Sequence, residues 1–505
     1  MTVGELLRAF ALMLPAVGRP AIDGDAGELE RKCGGVTHDS REAAPGVVFV
    51  ALKGQKADGV AFVPQAIGAG ASAVVAEQPP TVPSAVPWVV VNDARQALAL
   101  LAAEFFGHPS RQMRVVGITG TNGKTTTSYL TSAIFEAAGV QCGLMGTVTY
   151  RIGGQAFDAT RTTPEAPQLQ GFMRQMVSAK CGACVMEVSS HALALRRADG
   201  IEFAAAVFTN LTRDHLDFHG DMETYFAAKR RLFEMLPAGA PAIINADDPR
   251  CGALRDVAGR TITYAIHKPA DVMPGALSYS LAGLSFDIGT PAGRVRVESK
   301  LVGKPNVYNI LAAVATAASL DVPIEAIEQG LRDLPGVPGR FELASTAGDD
   351  ITVLVDYAHT DDALRNLLET ARPMASKRLI TVFGAGGDRD RTKRPLMGMV
   401  AARLSDVVVI TSDNPRGEDP VRIIEEVRLG ADAEVRQSSA EVLTVADRHD
   451  AIVEAVTRAE AGDVVLVAGK GHEKYQEIAG RTLAFDDVAV AREALAARRL
   501  NTRAG

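Results

Sequence analysis

The sequence predicts an α/β fold in three domains, with a P-loop-type parallel-sheet ATPase domain at the centre and a Rossmann-like α/β domain at the C-terminal end. Three observations carry that prediction. The chain has 505 residues, and domains of ~100–200 residues imply about three units with separate cores. Short apolar runs alternate with helix-length segments, the pattern of parallel strands joined by crossover helices. The stretch Val115-Val116-Gly117-Ile118-Thr119-Gly120-Thr121-Asn122-Gly123-Lys124-Thr125-Thr126 runs from an apolar segment through a glycine-rich turn into a predicted helix over 128–138.

Composition narrows the class. Hydrophobic residues make up 47% and charged residues 22%, ordinary for a globular protein. A formal charge of −7, with no Lys/Arg block, argues against nucleic-acid binding. Glu5 and Arg8 interrupt the first apolar residues, so no signal peptide is expected, and no window of ~20 apolar residues predicts a membrane span. The five cysteines do not read as a disulfide framework. Cys181 and Cys184 sit at the start of a strand-like run, where a structural role outweighs a redox one. A cytoplasmic location follows, and nothing signals an oligomer, so a monomer is expected.

The first block, 1–110, holds apolar runs at 47–52, 73–76 and 88–91, a Pro-rich stretch at 79–87, a helical pattern over 94–106 and the breaker Gly107-His108-Pro109. The second, 111–336, starts with the phosphate loop. Strand-like runs recur at 183–188, 204–209 and 241–245; 277–302 reads as short alternating strands and 309–320 as an Ala-rich helix. Pro335-Gly336-Val337-Pro338-Gly339 reads as a linker. In the third, 337–505, the runs 351–355, 379–383, 407–410 and 464–468 are apolar throughout, as buried parallel strands are.

The loop has the chemistry of a phosphate cradle. Backbone N–H groups of Gly120, Thr121, Asn122 and Gly123 can close round oxygens at a helix N-terminus, Lys124 can neutralise charge, and Thr125, followed by Thr126, can offer a hydroxyl to Mg²⁺. The glycines fall at 117, 120 and 123, off the strict spacing because position 118 is Ile. Further polar clusters follow strands, where open α/β sheets bind ligands: 187–191, 209–220, 245–248, 356–359, 384–391, 412–417 and 469–473. Glu187 with Thr125 suits a first Mg²⁺, and His215 can complete a second site. Zinc at His215 and His219 is the rival; no cysteine or third histidine stands close in sequence. Lys229 alone reads as a solvated helix lysine.

Gly120 to Thr125, Glu187-Val188-Ser189-Ser190-His191, and Asp214-His215-Leu216-Asp217 with 225–229 resemble the Mur ligases, ATP-dependent amide-forming enzymes of peptidoglycan synthesis. The resemblance runs in order over nearly the whole chain. Asp39-Ser40-Arg41 and Gly54 to Gly59 are similar to the family's uridine-nucleotide domain. Asp356-Tyr357-Ala358-His359, Gly386 to Asp390 and Gly469-Lys470-Gly471-His472-Glu473 are similar to the member that adds the third stem-peptide residue. What this implies is a carboxylate activated by ATP to an acyl phosphate and then attacked by an amine. It also implies a CO₂-derived carbamate on Lys229 that binds or orients Mg²⁺, so that Lys124, Glu187, His215 and Lys229 carry the chemistry.

The same resemblance places Asn306, Arg340 and Asp356 near the adenine, phosphates and ribose of ATP. Ser40, Gln55, Lys56 and Ala57 would meet the uridine nucleotide. Thr162, Thr163, Ser189 and Arg197 would meet the sugar–peptide end of a UDP-linked muramoyl dipeptide. Leu195 and Arg161 stand where the family has Gln and Asn. Asp413-Asn414-Pro415-Arg416 matches the members that add meso-diaminopimelate; on the residues alone it reads equally as a turn. Arg416 with Arg389 would pair the distal carboxylate, and Glu473 and Gly469 would take the distal ammonium. Lysine would leave the arginine unpaired. The rivals are the same chemistry with L-lysine, a folylpolyglutamate-type ligase, and a nucleotide switch without catalysis. A loop on one domain and a pocket on the next imply closure about 335–339.

Overall fold

The structure, a computed structural model, describes residues 1–504 except 16–19, 21, 23–25, 55–56, 281–282 and 436–437. Four short parallel strands form the first sheet in the order β1–β2–β3–β4: β1 (Gly35–Thr37), β2 (Val47–Val50), β3 (Ala73–Ala76) and β4 (Trp88–Val90). Helix Ala94–Phe105 follows, its N-cap Asp93 accepting from the Gln96 N–H. Asp93 also pairs with Arg196 at 2.5 Å, tying this unit to the next.

The central sheet uses β5 (Arg114–Thr119), β6 (Cys142–Met145), β7 (Thr149–Ile152), β8 (Gln155–Asp158), β9 (Ala183–Glu187), β10 (Ala205–Phe208), β11 (Pro241–Asn245) and β12 (Arg260–Tyr264). Their order is β12–β11–β10–β5–β9–β6–β7–β8, parallel from β12 to β6 and antiparallel at β7 and β8. β5 shows why its sequence is apolar throughout. Val116 and Ile118 face one core with Leu130, Ile134 and Ile310, while Val115 faces the other with Phe203 and Phe208. Period-two alternation with both faces covered leaves no polar side. A smaller antiparallel sheet follows, of β13 (Met273–Pro274), β14 (Ser278–Ser280), β15 (Gly283–Thr290) and β16 (Gly293–Ser299), then helices Lys304–Ser319 and Ile324–Asp333.

The last sheet contains β17 (Glu342–Leu343), β18 (Thr352–Asp356), β19 (Leu379–Phe383), β20 (Val407–Ile410), β21 (Glu441–Thr444) and β22 (Val464–Ala468). Its order is β17–β18–β22–β19–β20–β21, with only β17 antiparallel. The hairpin β23 (Tyr475–Ile478) and β24 (Arg481–Ala484) stands beside it. The expected runs at 379–383, 407–410 and 464–468 coincide with β19, β20 and β22. The strands β6, β12 and β21 and the β7–β8 hairpin went unread in the sequence.

Among the described residues, no helix is long and apolar enough to cross a membrane. All five cysteines are buried and free, and burial raises the Cys184 thiol well above its ordinary value.

Candidate active site

The phosphate loop leaves β5 at Gly120 and enters helix Lys124–Ala137. Gly120 has φ +148 and Gly123 φ +87. A Cβ on Gly120 would lie 1.8 Å from Thr209 Oγ1, and one on Gly123 2.4 Å from Asn309 Oδ1, so the neighbours as well as the backbone require glycine. Residues at the end of β10 brace the turn. Thr209 Oγ1 donates to Asn122 O at 2.6 Å, the Asn122 N–H donates to Asn210 Oδ1 at 3.0 Å, and the Thr121 N–H donates to Asn210 O at 2.8 Å. Thr121 Oγ1 lies 3.1 Å from the Tyr225 hydroxyl.

Two lysines converge on this loop. Lys124 Nζ donates to Gly120 O at 3.0 Å and to Thr121 O at 2.8 Å. Lys229, 1% exposed, donates to Gly120 O at 2.7 Å and lies 4.4 Å from the centre of the Tyr225 ring. Burial pulls the Lys229 amine well below its ordinary range; Lys124 adds to that and Asp214 opposes it. Solvated-lysine readings of this residue therefore fail: helix Met222–Glu234 turns it inward.

Glu187, also 1% exposed, closes β9. Its Oε1 accepts from the Thr147 N–H and its Oε2 from Thr147 Oγ1, both at 2.9 Å. His215 has φ 55, and its N–H donates to Asp214 Oδ1 at 2.8 Å. Burial lowers the imidazole below its ordinary value, against the pull of Asp214, which favours the neutral ring with a lone pair to donate. The structure adds one neighbour that sequence proximity does not show. A third histidine, distant in sequence, is near in space: the His191 ring lies 4.8 Å from His215 and 5.4 Å from His219. His219 Nε2 is bonded to Ser190 Oγ at 3.0 Å, and these rings do not form a chelating set among the described residues.

Arg340, just past the linker, donates from Nη2 to Thr125 Oγ1 at 3.1 Å and lies 4.4 Å above the Tyr357 ring. Asp356 ends β18 with both oxygens taken, by the N–H groups of Phe341 at 2.7 Å and Ala358 at 2.8 Å. Asn306 accepts from Asn309 Nδ2 at 2.9 Å, and so sits one bond from the loop's Gly123 neighbour. Arg213 reaches Thr392 at 3.0 Å and Asp361 at 3.3 Å, and Asn122 reaches Asp362 at 3.1 Å. The central and C-terminal sheets thus meet across one cleft.

Thr163 links strand end to helix. Its Oγ1 donates to Glu187 O at 2.9 Å and accepts from the Ser189 N–H at 3.1 Å. Thr162 lies 3.1 Å from Thr147 Oγ1. Arg197 and Arg161 share Glu165 Oε1, at 2.6 and 2.7 Å, so the unexpected Arg161 joins the Arg197 network. Leu195 caps helix Ser190–Ala194. In the N-terminal unit the buried Ser40 donates to Gln65 Oε1 at 3.0 Å, and Ala57 O accepts from the Gly54 N–H at 2.9 Å. Gln55 and Lys56 lie outside the described residues.

The C-terminal cluster is more densely bonded than the sequence implied. Arg416 and Arg389 flank Gly386, where an added Cβ would lie 3.1 Å from Arg416 Nη1 and 3.9 Å from Arg389 Cγ. Asn414 Nδ2 donates to Glu473 Oε2 at 2.8 Å. Lys470, fully buried and given no role of its own by the sequence, donates to Asn414 Oδ1 at 3.0 Å and Glu473 Oε2 at 3.2 Å. It lies 3.6 Å from Asp413. Burial, then Asp413, raises the Glu473 carboxyl. The Gly469 N–H is spent on Asp356 O at 3.0 Å. Pro415 leads into Arg416, which is already paired with Glu477 Oε2 at 2.8 Å. The expectation that lysine would leave Arg416 unpaired therefore fails: the chain supplies its own carboxylate.

Residues 32–106 match the Mur ligase family, catalytic domain; 118–317 match the Mur ligase middle domain; 339–471 match the Mur ligase, glutamate ligase domain. A protein of Solibacter usitatus named UDP-N-acetylmuramoyl-L-alanyl-D-glutamate–2,6-diaminopimelate ligase is 46% identical over 499 residues, covering 98% of each chain. The chain belongs to the Mur ligase family. A Gloeobacter violaceus relative of the same name is 47% identical, covering 92% of this chain and 94% of its own. A solved structure with that ligase's name superposes with a TM-score of 0.66 at 35% identity, covering 93% of this Mur ligase and 96% of that chain.

Proposed function

We propose that this Mur ligase is an ATP-dependent amide ligase that joins meso-diaminopimelate to UDP-N-acetylmuramoyl-L-alanyl-D-glutamate, in the cytoplasm and as a monomer. The observation that carries the reading is the 46% identity to a ligase of that name across 98% of both chains. In this reading the D-glutamyl carboxylate takes the terminal phosphoryl group of ATP, giving an acyl phosphate and ADP. The amine of diaminopimelate then attacks, and phosphate leaves as the amide forms.

The chain's residues divide that work. The loop N–H groups from Gly120 to Thr126 and the Lys124 ammonium hold the phosphates, and Arg340 adds charge from the other side of the cleft. Asn306 and Asp356 face the nucleoside. Ser40, Gln55, Lys56, Ala57, Thr162, Thr163, Ser189 and Arg197 hold the UDP-linked substrate. Arg389, Arg416, Asp413, Asn414, Pro415, Gly469 and Glu473 line the amino-acid pocket, where a guanidinium matches a carboxylate bidentately.

The buried hard oxygens of Thr125 and Glu187, with neutral His215, fit Mg²⁺ better than zinc, which favours thiolates and grouped imidazoles. Those three, with Lys229 once carbamylated, would hold Mg²⁺, which supplies charge neutralisation to the transferring phosphates. The neutral Lys229 amine fits carbamylation: its lone pair can form the N–C bond to CO₂, and the lost proton leaves a carboxylate-like group.

Phosphate release from ATP with the UDP-linked dipeptide, comparing meso-diaminopimelate with L-lysine, tests the reading. Release with diaminopimelate and a tripeptide product of the expected mass supports it. Preference for lysine, or release with folate substrates instead, overturns it.

A further inference from the structure

Arg416 has its own carboxylate partner. Its Nε donates to Glu477 Oε2 at 2.8 Å and its Nη1 to Gly387 O at 2.9 Å. The contact is built into the backbone. Arg416 holds a left-handed φ of 51, its N–H donates to Glu477 O at 3.0 Å, and its carbonyl accepts from the Ala479 N–H at 2.8 Å. The Glu477 N–H in turn donates to Asn414 Oδ1 at 2.9 Å. β23 is therefore stitched to the turn that carries Asn414 and Arg416, and this register aims the Glu477 side chain at the guanidinium. The Glu477 side chain is 37% exposed against 24% for Arg416, so the carboxylate can swing into water without leaving a buried charge behind.

We propose that Glu477 is a specificity-determining residue. It occupies Arg416 as an internal stand-in for the distal carboxylate of the incoming amino acid and is displaced when that carboxylate arrives. The inference rests on the diaminopimelate reading above. Two consequences follow from competition for one guanidinium. Displacement weakens diaminopimelate binding by the strength of a partly exposed ion pair. Lysine, which brings no distal carboxylate, leaves the Arg416–Glu477 pair intact and is spared the penalty of an unpaired arginine. Glu477 therefore lowers both affinity for diaminopimelate and discrimination against lysine.

The test uses the full chain, its Glu477→Gln variant and its Glu477→Asp variant. Gln keeps the hairpin's main-chain bonds and removes the charge; Asp keeps a charge one methylene short of the guanidinium. Phosphate release is measured at saturating ATP and UDP-linked dipeptide while diaminopimelate or L-lysine is varied. Partly exposed pairs predict a KM for diaminopimelate about two- to five-fold lower in Glu477→Gln. kcat should move less than KM, and the preference for diaminopimelate over lysine should rise. Glu477→Asp should fall between Gln and the unsubstituted chain. An unchanged or higher KM in both variants, with the unsubstituted chain preferring diaminopimelate, overturns the displacement idea alone. If the unsubstituted chain itself prefers lysine, the assigned reaction fails and the inference falls with it.

Discussion

Lys124 and Lys229 donate to the same atom, the carbonyl oxygen of Gly120, at 3.0 and 2.7 Å. Two ammonium groups so placed repel each other, and Lys229, the more deeply buried, is the one whose proton affinity drops furthest. Burial, with Lys124 beside it, therefore favours the neutral form of Lys229 in the folded chain relative to a lysine in water. A neutral amine reacts with CO₂, and the carbamate puts a negative charge beside the Lys124 ammonium where a second ammonium would be repelled.

Lys229→Ala is expected to lose ligation by about 10²–10³-fold, the scale of removing one preorganised charge from a phosphoryl site. The unsubstituted chain should lose rate when CO₂ is stripped and regain it with bicarbonate. Intact mass should show one added CO₂ that Lys229→Ala lacks. A Lys229→Arg variant as active as the parent would refute the carbamate.

Arg340 bridges the two halves of the cleft through Thr125 and the Tyr357 ring. Bonds to charged groups contribute about 1.5–3 kcal/mol, so Arg340→Ala should raise the KM for ATP by at least about tenfold. The KM for the amino acid should hardly move. Arg340→Lys should recover part of the loss, since lysine keeps charge but not the planar stack. Steady-state titration of ATP against each variant checks this, and equal rises in both KM values would contradict it.

Much of this arrangement was readable in advance, and the gaps have physical causes. β19, β20 and β22 are buried on both faces and therefore spell continuous apolar words. β8 is exposed along its length and β21 is half-exposed; edge strands carry polar residues and lose that signal. The phosphate loop was legible because a short contiguous motif carries its own chemistry, whereas Asp413 to Arg416 read on its residues alone equally as a turn. Thr147 holds Glu187 from 40 residues away, and Glu477 meets Arg416 across 61, so neither contact has a local signature. Lys470 stood in a quoted motif without a role, because a buried lysine and a solvated one look alike in sequence.

Arg416→Ala should lose the use of diaminopimelate, since truncating one partner of a charge-assisted contact costs about 2–5 kcal/mol, or roughly 30- to several-thousand-fold in kcat/KM. ATP binding, measured by calorimetry, should survive because the loop lies on the other sheet. Unchanged kinetics would remove Arg416 from the specificity argument.

The His472 ring lies 4.9 Å from the Tyr357 ring, tilted by 49°, and burial, assisted by Arg340, holds its imidazole down to about 3. A free histidine titrates near ~6.5. Between those values the unfolded chain binds a proton that the folded chain does not, so stability is lost as pH falls from about 6.5 towards 3, with none lost above. His472→Gln should flatten this fall. Tm measured at pH 7 and pH 5 should drop less in the variant than in the parent, and equal drops would count against the assignment.

Lys470 is the only cation within bonding reach of Glu473 and Asp413 among the described residues, and it has no exposure to water. One ammonium beside two carboxylates leaves one negative charge to spare when Glu473 is ionised. The distal ammonium of diaminopimelate is the charge that would balance it. Lys470 also fixes the Asn414 amide: Oδ1 accepts from Lys470, so Nδ2 must face Glu473. Lys470→Met, similar in volume, removes both effects. Breaking a buried pair costs about 3–5 kcal/mol, so Tm should fall by several degrees or more. In the folded fraction, the KM for diaminopimelate should rise far more than that for ATP. A variant with parental Tm and a parental KM for diaminopimelate would show that the buried ammonium neither holds the pocket together nor sets its charge.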